Sequence, residues 1–113
     1  MYIDNPYNLD IESTETQAVS DERADESVLT ETFREYFGGL NYFFAAEQAE
    51  LTLKDVIAHI GVDPSEYRYD AERKAQIYSW YSAKSRARVL HVWFKDGKLY
   101  ACGAYNLGFL KMP

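Results

Sequence analysis

His91 and Cys102 are the two side chains whose types and spacing could form a nucleophile. A histidine beside a cysteine can accept the thiol proton and leave a reactive thiolate. A two-residue hairpin turn at Asp96-Gly97, a dipeptide typical of such turns, would place His91 opposite Cys102. Such a nucleophile also needs a cleft and donors for an oxyanion, and no nearby motif supplies them. We therefore predict that the chain is not an enzyme and assign no catalytic residue. A small enzyme or ligand-binding domain that uses His91 and Cys102 is kept as an alternative function.

Metal and phosphate sites are the other chemistry that these residue types could supply. The chain has two histidines, His59 and His91, and a single cysteine, and their positions lack the spacing of zinc ligands. The basic loop Lys84–Arg88 could contact phosphate groups, but a sequence pI of about 4.8 is not that of a nucleic-acid-binding domain. We therefore predict no metal site and no cofactor, and we do not expect direct binding to nucleic acid.

The turn at Asp96-Gly97 lies within an aromatic and β-branched stretch, residues 76–105. Three runs rich in Val, Tyr, Trp and Phe are separated by two turn signals, which predicts an antiparallel meander. Because a two-residue turn sets the register, the two faces of the hairpin can be assigned. The apolar face, expected to point to the core, carries Leu90, Val92, Phe94, Leu99, Ala101 and Gly103. The amphipathic face carries Val89, His91, Trp93, Tyr100 and Cys102, with Trp93 directly opposite Tyr100.

The loop that precedes the hairpin determines the face of two more aromatic side chains. If Lys84–Ala87 form a four-residue loop, Tyr78 and Trp80 join the amphipathic face. A loop of three or five residues turns both to the core, since a one-residue slip moves every side chain to the other face. We adopt the four-residue loop. The predicted partner-binding surface is then Tyr78, Trp80, His91, Trp93 and Tyr100.

Helices are predicted in the first half of the chain. Apolar residues at three- and four-residue spacing indicate a helix over Ser27–Phe37, with Asp25 or Ser27 as its cap and Gly38-Gly39 as its end. Leu40–Glu50 is also taken as helical, although its first residues suit a strand equally well.

A further helix opens at Thr52, where Thr52-x-x-Asp55 is similar to a capping box. It should end at Gly61, and Asp63-Pro64 prevents its resumption. Glu66–Asp70 then forms a short edge strand or an extended arm that leads to the sheet. The expected fold class is therefore α+β, with the N-terminal helices packed on one face of a three- to four-stranded antiparallel meander.

The negative charge of the chain is concentrated near its N-terminus. The net charge is −6 over 113 residues, and residues 1–35 hold ten acidic and two basic side chains. Residues 1–26 form either a short extended piece docked on the body or a segment that is disordered in the free chain. We divide the chain into this acidic N-terminal segment and a single domain, residues 27–113. We expect residues 1–20 to contribute little to stability.

Three consecutive stretches carry a family resemblance. They are the helix L-T-L-K-D-V-I-A-H-I-G-V-D-P, the strand I-Y-S-W-Y-S and the hairpin V-L-H-V-W-F-K-D-G-K-L-Y-A. In pattern, residues 51–105 resemble the outer-membrane lipoprotein BamE (SmpA/OmlA) and β-lactamase-inhibitor-protein-like domains. The resemblance implies helices on one face of an antiparallel sheet, and protein binding as the activity. The assembly-factor members carry a lipoprotein signal and a lipidated N-terminal cysteine, which we do not find here, so the resemblance extends to the fold and a binding role.

Together these features predict a small acidic protein-binding module or inhibitor that acts through an aromatic sheet face. An immunity protein or a phage-type inhibitor of a host complex fits this description, and its partner would be another protein with a basic surface. The remaining alternative is a structural subunit of a homo-oligomer, such as a homodimer, which buries the same face. No apolar run approaches the roughly 20 residues that span a bilayer, and no signal peptide is visible. We therefore expect a cytoplasmic location and no membrane partner.

Overall fold

The computed structural model describes Tyr7, residues 9–37 and residues 50–107. The described elements are β1 (Gln17–Ala18), α1 (Glu26–Phe37), α2 (Leu53–Ile60), β2 (Glu66–Asp70), β3 (Ala75–Tyr81), β4 (Val89–Lys95) and β5 (Lys98–Tyr105). The strands form one sheet in the order β1-β2-β3-β4-β5, and every neighbouring pair is antiparallel. The predicted α+β class and antiparallel meander are confirmed. In the described part of the chain the sheet has five strands, because the two-residue β1 adds to the outer side of β2.

Both described helices begin at side chains that cap them. The Asp25 carboxylate accepts hydrogen bonds from the backbone N–H and the hydroxyl of Ser27, at 2.9 and 2.7 Å, ahead of α1. At α2 the Thr52 and Asp55 side chains each accept the other's backbone N–H, which is the predicted capping box. Gly61 ends α2 with a φ of 97°, a left-handed conformation that glycine adopts without steric cost. The Gly38-Gly39 stop and all but the last residue of the predicted Leu40–Glu50 helix lie outside the described residues.

One hydrophobic cluster joins the helices to the sheet. From α1 it includes Leu29 and Phe33, and from α2 it includes Leu53, Val56 and Ile60. The strands contribute Tyr67, Tyr78, Trp80, Leu90, Val92, Phe94, Leu99 and Cys102. The predicted core positions Leu90, Val92, Phe94 and Leu99 are therefore confirmed as buried. Removal of this apolar surface from water is the main force that holds the two helices and the sheet together.

The connection from β3 to β4 differs from the predicted four-residue loop. Trp80 pairs with Leu90 and Tyr81 with Val89, and the Ser82 backbone N–H donates to the Arg88 carbonyl at 2.9 Å. Five residues, 83–87, therefore form the loop, and three hydrogen bonds lie within it or at its ends. Those bonds run from the Lys84 N–H to Ser82 Oγ, from the Ala87 N–H to Ser85 Oγ and from the Arg88 N–H to the Ser85 carbonyl.

This slip of one residue turns Tyr78 and Trp80 to the core. Both side chains are 0% exposed, and the Trp80 Nε1–H donates to the Val62 carbonyl at 3.0 Å. The prediction that Tyr78 and Trp80 lie on the exposed amphipathic face is therefore wrong. The alternative loop of five residues gives the observed face.

A β-bulge changes the register of the final hairpin. Phe94 pairs with Leu99 as predicted, but past that pair the register shifts and Trp93 lies opposite Ala101 instead of Tyr100. His91 consequently lies opposite Gly103, and Cys102 pairs with Val92. The predicted pairs Trp93/Tyr100 and His91/Cys102 are wrong, since the extra residue of a bulge exchanges the faces of everything that follows it. Cys102 joins the core face, while Ala101 and Gly103 move to the opposite face.

Tyr7 and residues 9–25, the described part of the chain before α1, lie against the rest of the molecule. Among the described residues, Tyr7, Leu9, Ile11 and Val19 pack against the core cluster. The Tyr7 hydroxyl donates to Asp63 Oδ1 at 2.9 Å, the Tyr69 N–H donates to the Ser13 carbonyl at 3.0 Å, and the Tyr67 hydroxyl donates to the Ile11 carbonyl. For the described residues of this segment, the docked extended piece is the alternative that matches the structure. Neither described helix is long and apolar enough to cross a membrane.

Candidate functional site

The sheet has a second face, turned away from the core cluster, and we call it the outer face. Alternation along the paired strands places Glu66, Arg68, Asp70, Ile77, Ser79, Tyr81, Val89, His91, Trp93, Ala101, Gly103 and Tyr105 there. Ile77 and Val89 are buried, yet neither belongs to the cluster that contains the helix side chains. Among the described residues, larger side chains of the outer face lie beside them, with Trp93 opposite Ile77 and Tyr81 opposite Val89. Those larger side chains are the candidate site.

His91 lies at the centre of this face, between two other aromatic rings. Its ring meets those of Trp93 and Tyr105 edge-on, with centroids 6.1 and 5.7 Å away. On the neighbouring strand, Ser79 lies directly opposite, and Ser79 Oγ shares a hydrogen bond of 2.6 Å with His91 Nδ1. Burial, and after it the positive charge of Arg68, lowers the pKa of His91. The imidazole is therefore neutral at pH 7 and acts as a hydrogen-bonded aromatic side chain.

Trp93 is held in place from two sides. Its Nε1–H donates to Asp70 Oδ2 at 3.3 Å, and its ring lies close over Gly103, where an added Cβ would meet Cζ3 at 3.6 Å. Burial by itself would raise the pKa of Asp70, but hydrogen bonds from the backbone and side chain of Arg73 and from Trp93 outweigh it and lower that pKa. Asp70 is thus an ionised acceptor at neutral pH, so the indole has a fixed orientation.

Charged side chains lie around the aromatic rings. The Tyr81 hydroxyl donates to Glu66 Oε1 at 2.8 Å, and the Arg86 guanidinium lies 4.4 Å from the Tyr81 ring centroid and 3.2 Å from Glu66 Oε2. Near the bulge, Lys95 Nζ lies 5.1 Å from the ring centroid of Tyr100. Because these pairs are at least partly in contact with solvent, they add little to stability. Their effect is to give the rim of the outer face charges of both signs.

The structure keeps part of the predicted partner-binding set together. His91 and Trp93 are in contact on the outer face, and Tyr100, 41% exposed, lies at its edge beside the bulge. Tyr78 and Trp80 belong to the core and cannot reach a partner. Tyr81 and Tyr105 also lie on the outer face, although the set predicted from the sequence does not include them. A five-residue loop would have placed Tyr81 on this face, whereas the bulge that brings Tyr105 there left no signal in the sequence.

Cys102 lies on the opposite face from His91. It is buried opposite Val92, and burial raises the pKa of its thiol to about 12. A thiol with that pKa is almost entirely protonated at neutral pH and is a poor nucleophile. His91 and Cys102 therefore do not form the cysteine–histidine pair considered from the sequence. Within the described ranges, no three His, Cys, Asp or Glu side chains come together as a metal site.

We compared the chain with family models, curated proteins and solved structures. No family model, no curated protein and no solved structure matches this chain. The resemblance of residues 51–105 to BamE-like domains therefore stays a prediction from pattern.

Proposed function

We propose that this chain is a small protein-binding module that acts as an inhibitor through its outer face. The observation that carries the proposal is the group formed by His91, Trp93 and Tyr105, a set of aromatic rings in contact outside the core cluster. Tyr105 is 63% exposed and His91 and Trp93 are partly exposed, so the three rings together offer apolar area to a partner. Tyrosine and tryptophan are the side chains that most often dominate the energy of such interfaces.

The aromatic side chains of the outer face are held by contacts within the chain itself. The hydrogen bond from Trp93 to Asp70, the contact of its ring with Gly103, and the bond between His91 and Ser79 each fix a ring orientation. A surface whose side chains are already ordered loses less conformational entropy on association. This order supports a binding role, because core stability alone does not require an ordered aromatic group on the outer face.

The charge distribution suggests which partner the module would contact. Residues 1–35 carry ten of the eighteen acidic side chains, and the described ones before α1, such as Glu12, Glu15 and Asp21, are exposed. We infer a partner protein with a basic surface, which this acidic segment would attract while the outer face makes the close contacts. An immunity protein, or a phage-type inhibitor of a host complex, is the functional class that this combination suits.

The proposal is tested by separating stability from binding. The tagged chain is used to capture its partner from host extract, and the affinity of the identified partner is then measured for wild type, Trp93→Ala and Lys54→Ala. Lys54 is exposed on α2 and lies away from the outer face, so its truncation is the matched control. Trp93→Ala should lose about 2 kcal/mol or more of binding free energy, as hot-spot truncations do, whereas Lys54→Ala should bind as wild type does. Loss of binding equal in the two variants, or a Trp93→Ala chain that no longer folds, would refute the proposal.

A further inference from the structure

We propose that β5 is an open edge through which two copies of this chain pair as a homodimer. β5 is the last strand in the sheet order, so none of the described strands lies on its outer side. An exposed edge presents unpaired N–H and C=O groups and is a template for pairing with another chain. The proposal concerns the edge of the sheet and does not depend on the role of the outer face.

The alternation of main-chain bonds shows which β5 groups point outward. In an antiparallel sheet, each residue directs both its N–H and its C=O to the same neighbouring strand. The next residue along the chain directs its N–H and C=O to the strand on the other side. Ser82 donates to the Arg88 carbonyl at 2.9 Å, so the even-numbered residues of β4 bond to β3 and the odd-numbered ones bond to β5. The β5 partners of those odd-numbered residues are Lys98, Ala101, Gly103 and Tyr105. The residues whose main-chain N–H and C=O groups point away from β4 are therefore Leu99, Cys102 and Ala104.

One bond confirms this assignment. The Leu99 N–H donates outward, to the Leu51 carbonyl at 2.7 Å. No backbone hydrogen bond that joins β5 to another described element uses Cys102 or Ala104. The outward N–H of Leu99, the second residue of β5, is therefore occupied, and within the described residues the edge is open over Cys102 and Ala104.

The open stretch is complementary to itself. It lies between the bulge at Tyr100 and the end of the strand at Asn106, whose φ is 57°, and its middle residue is Gly103. If two β5 strands pair in antiparallel fashion about a two-fold axis at Gly103, Cys102 lies opposite the partner's Ala104. In that register, Cys102 and Ala104 of opposite copies form two symmetry-related pairs. Each pair makes two main-chain hydrogen bonds, which gives four in all. With the axis at Cys102, Ala104 would meet the bulge instead, and only two bonds would form.

The side chains of this stretch suit the same register. No charged side chain lies between Lys98 and Lys111 in the sequence, so no like charges meet at the axis. On the outer face, Tyr105 would lie opposite the partner's Ala101, a small side chain that leaves room for the ring. Pairing would also join the two outer faces into one continuous surface. A second copy is the occupant that fits, because this register bonds the outward N–H and C=O groups of both Cys102 and Ala104 in each strand.

The register is tested by cross-linking in a Cys102→Ala background. At the two-fold axis, Gly103 would lie opposite Gly103 of the second copy, and the two would share no main-chain hydrogen bond. The Cα atoms of such a pair lie about 4.5 Å apart, which is within the range of a disulfide. A Cβ at Gly103 makes only ordinary contact with Trp93, at 3.6 and 3.8 Å, so Gly103→Cys should fold. Under mild oxidation Gly103→Cys should form a covalent dimer on non-reducing gels.

Tyr105→Cys is the matched control in the same background. Tyr105 is more exposed than Gly103, so random collision would favour cross-linking of this control. In the proposed register its two copies are about four residues apart along the strands, roughly 13 Å, which is beyond disulfide reach. Cross-linking of Gly103→Cys that is no faster than that of Tyr105→Cys would overturn the proposal.

Sedimentation of the chain without added cysteines gives an independent test. The wild-type mass should rise from 13.1 kDa toward twice that value with concentration. Ala104→Pro removes an outward N–H without breaking a bond to β4, so it should stay at the monomer mass, whereas Ala104→Ser keeps the N–H and should dimerise. A wild-type chain that remains monomeric at the highest attainable concentration, or an Ala104→Pro chain that dimerises equally, would also overturn it.

Discussion

Replacement of Trp80 by alanine tests the assignment of the two sheet faces. Trp80 is 0% exposed and packs within the core cluster, and its Nε1–H is bonded to the Val62 carbonyl. Truncation of a buried tryptophan costs about 3–5 kcal/mol through lost burial and the cavity left behind. Loss of the donor to Val62 adds to this cost. For a domain of this size, a loss of about 3 kcal/mol lowers the Tm by roughly 12 °C or more.

The assay is urea unfolding followed by circular dichroism, with Trp80→Phe and Trp93→Ala measured beside Trp80→Ala. Trp80→Phe keeps most of the ring volume and loses the hydrogen bond, so it should cost about 1–2 kcal/mol. Trp93 is partly exposed, and its truncation should cost less than about 2 kcal/mol. The face assignment would be refuted if Trp80→Ala cost below about 1 kcal/mol, or if Trp93→Ala cost more than Trp80→Ala.

Three further predictions concern the N-terminal segment, His91 and Cys102. Deletion of residues 1–20 should lower the free energy of unfolding by about 2 kcal/mol or more, since it removes β1 together with Leu9, Ile11 and Val19, which pack against the core cluster. This reverses the expectation from the sequence, and an unchanged Tm would restore that expectation. The pKa of His91 is lowered in the folded chain, so the unfolded chain binds the proton more readily. The contribution of the neutral His91 to the free energy of unfolding should therefore be complete above about pH 6.5, the pKa in the unfolded chain, and should be lost as the pH falls toward the pKa in the folded chain. Urea titrations at pH 7.5 and 5 measure this loss, and His91→Gln should remove it. Cys102, with a thiol pKa of about 12, should react with a thiol reagent at pH 7.5 far more slowly in the folded chain than in urea, and equal rates would contradict its burial.

Local sequence by itself determined the boundaries of α2 and the final turn. Thr52 and Asp55 open α2, and Gly61 closes it, through bonds and dihedral angles that lie within a few residues of each other. Asp96 and Gly97 both have positive φ, 53° and 81°, as the predicted two-residue turn requires. These features were predictable because the energy that selects them is local. The apolar face Leu90, Val92, Phe94 and Leu99 was predictable for a similar reason, since alternation from a fixed turn identifies it.

The candidate site depended on two single-residue choices that local sequence does not encode. A loop of five residues in place of four costs little locally, yet it moves Tyr78 and Trp80 from the outer face to the core. The bulge that sets Trp93 opposite Ala101 likewise changes one backbone position and exchanges the faces of Ala101, Cys102 and Gly103. Both choices are made by packing, because only one register buries Trp80 beside the Val62 carbonyl and places Gly103 under the Trp93 ring. The sequence thus determined that an aromatic sheet would form, and the tertiary structure decided which aromatic side chains a partner can reach.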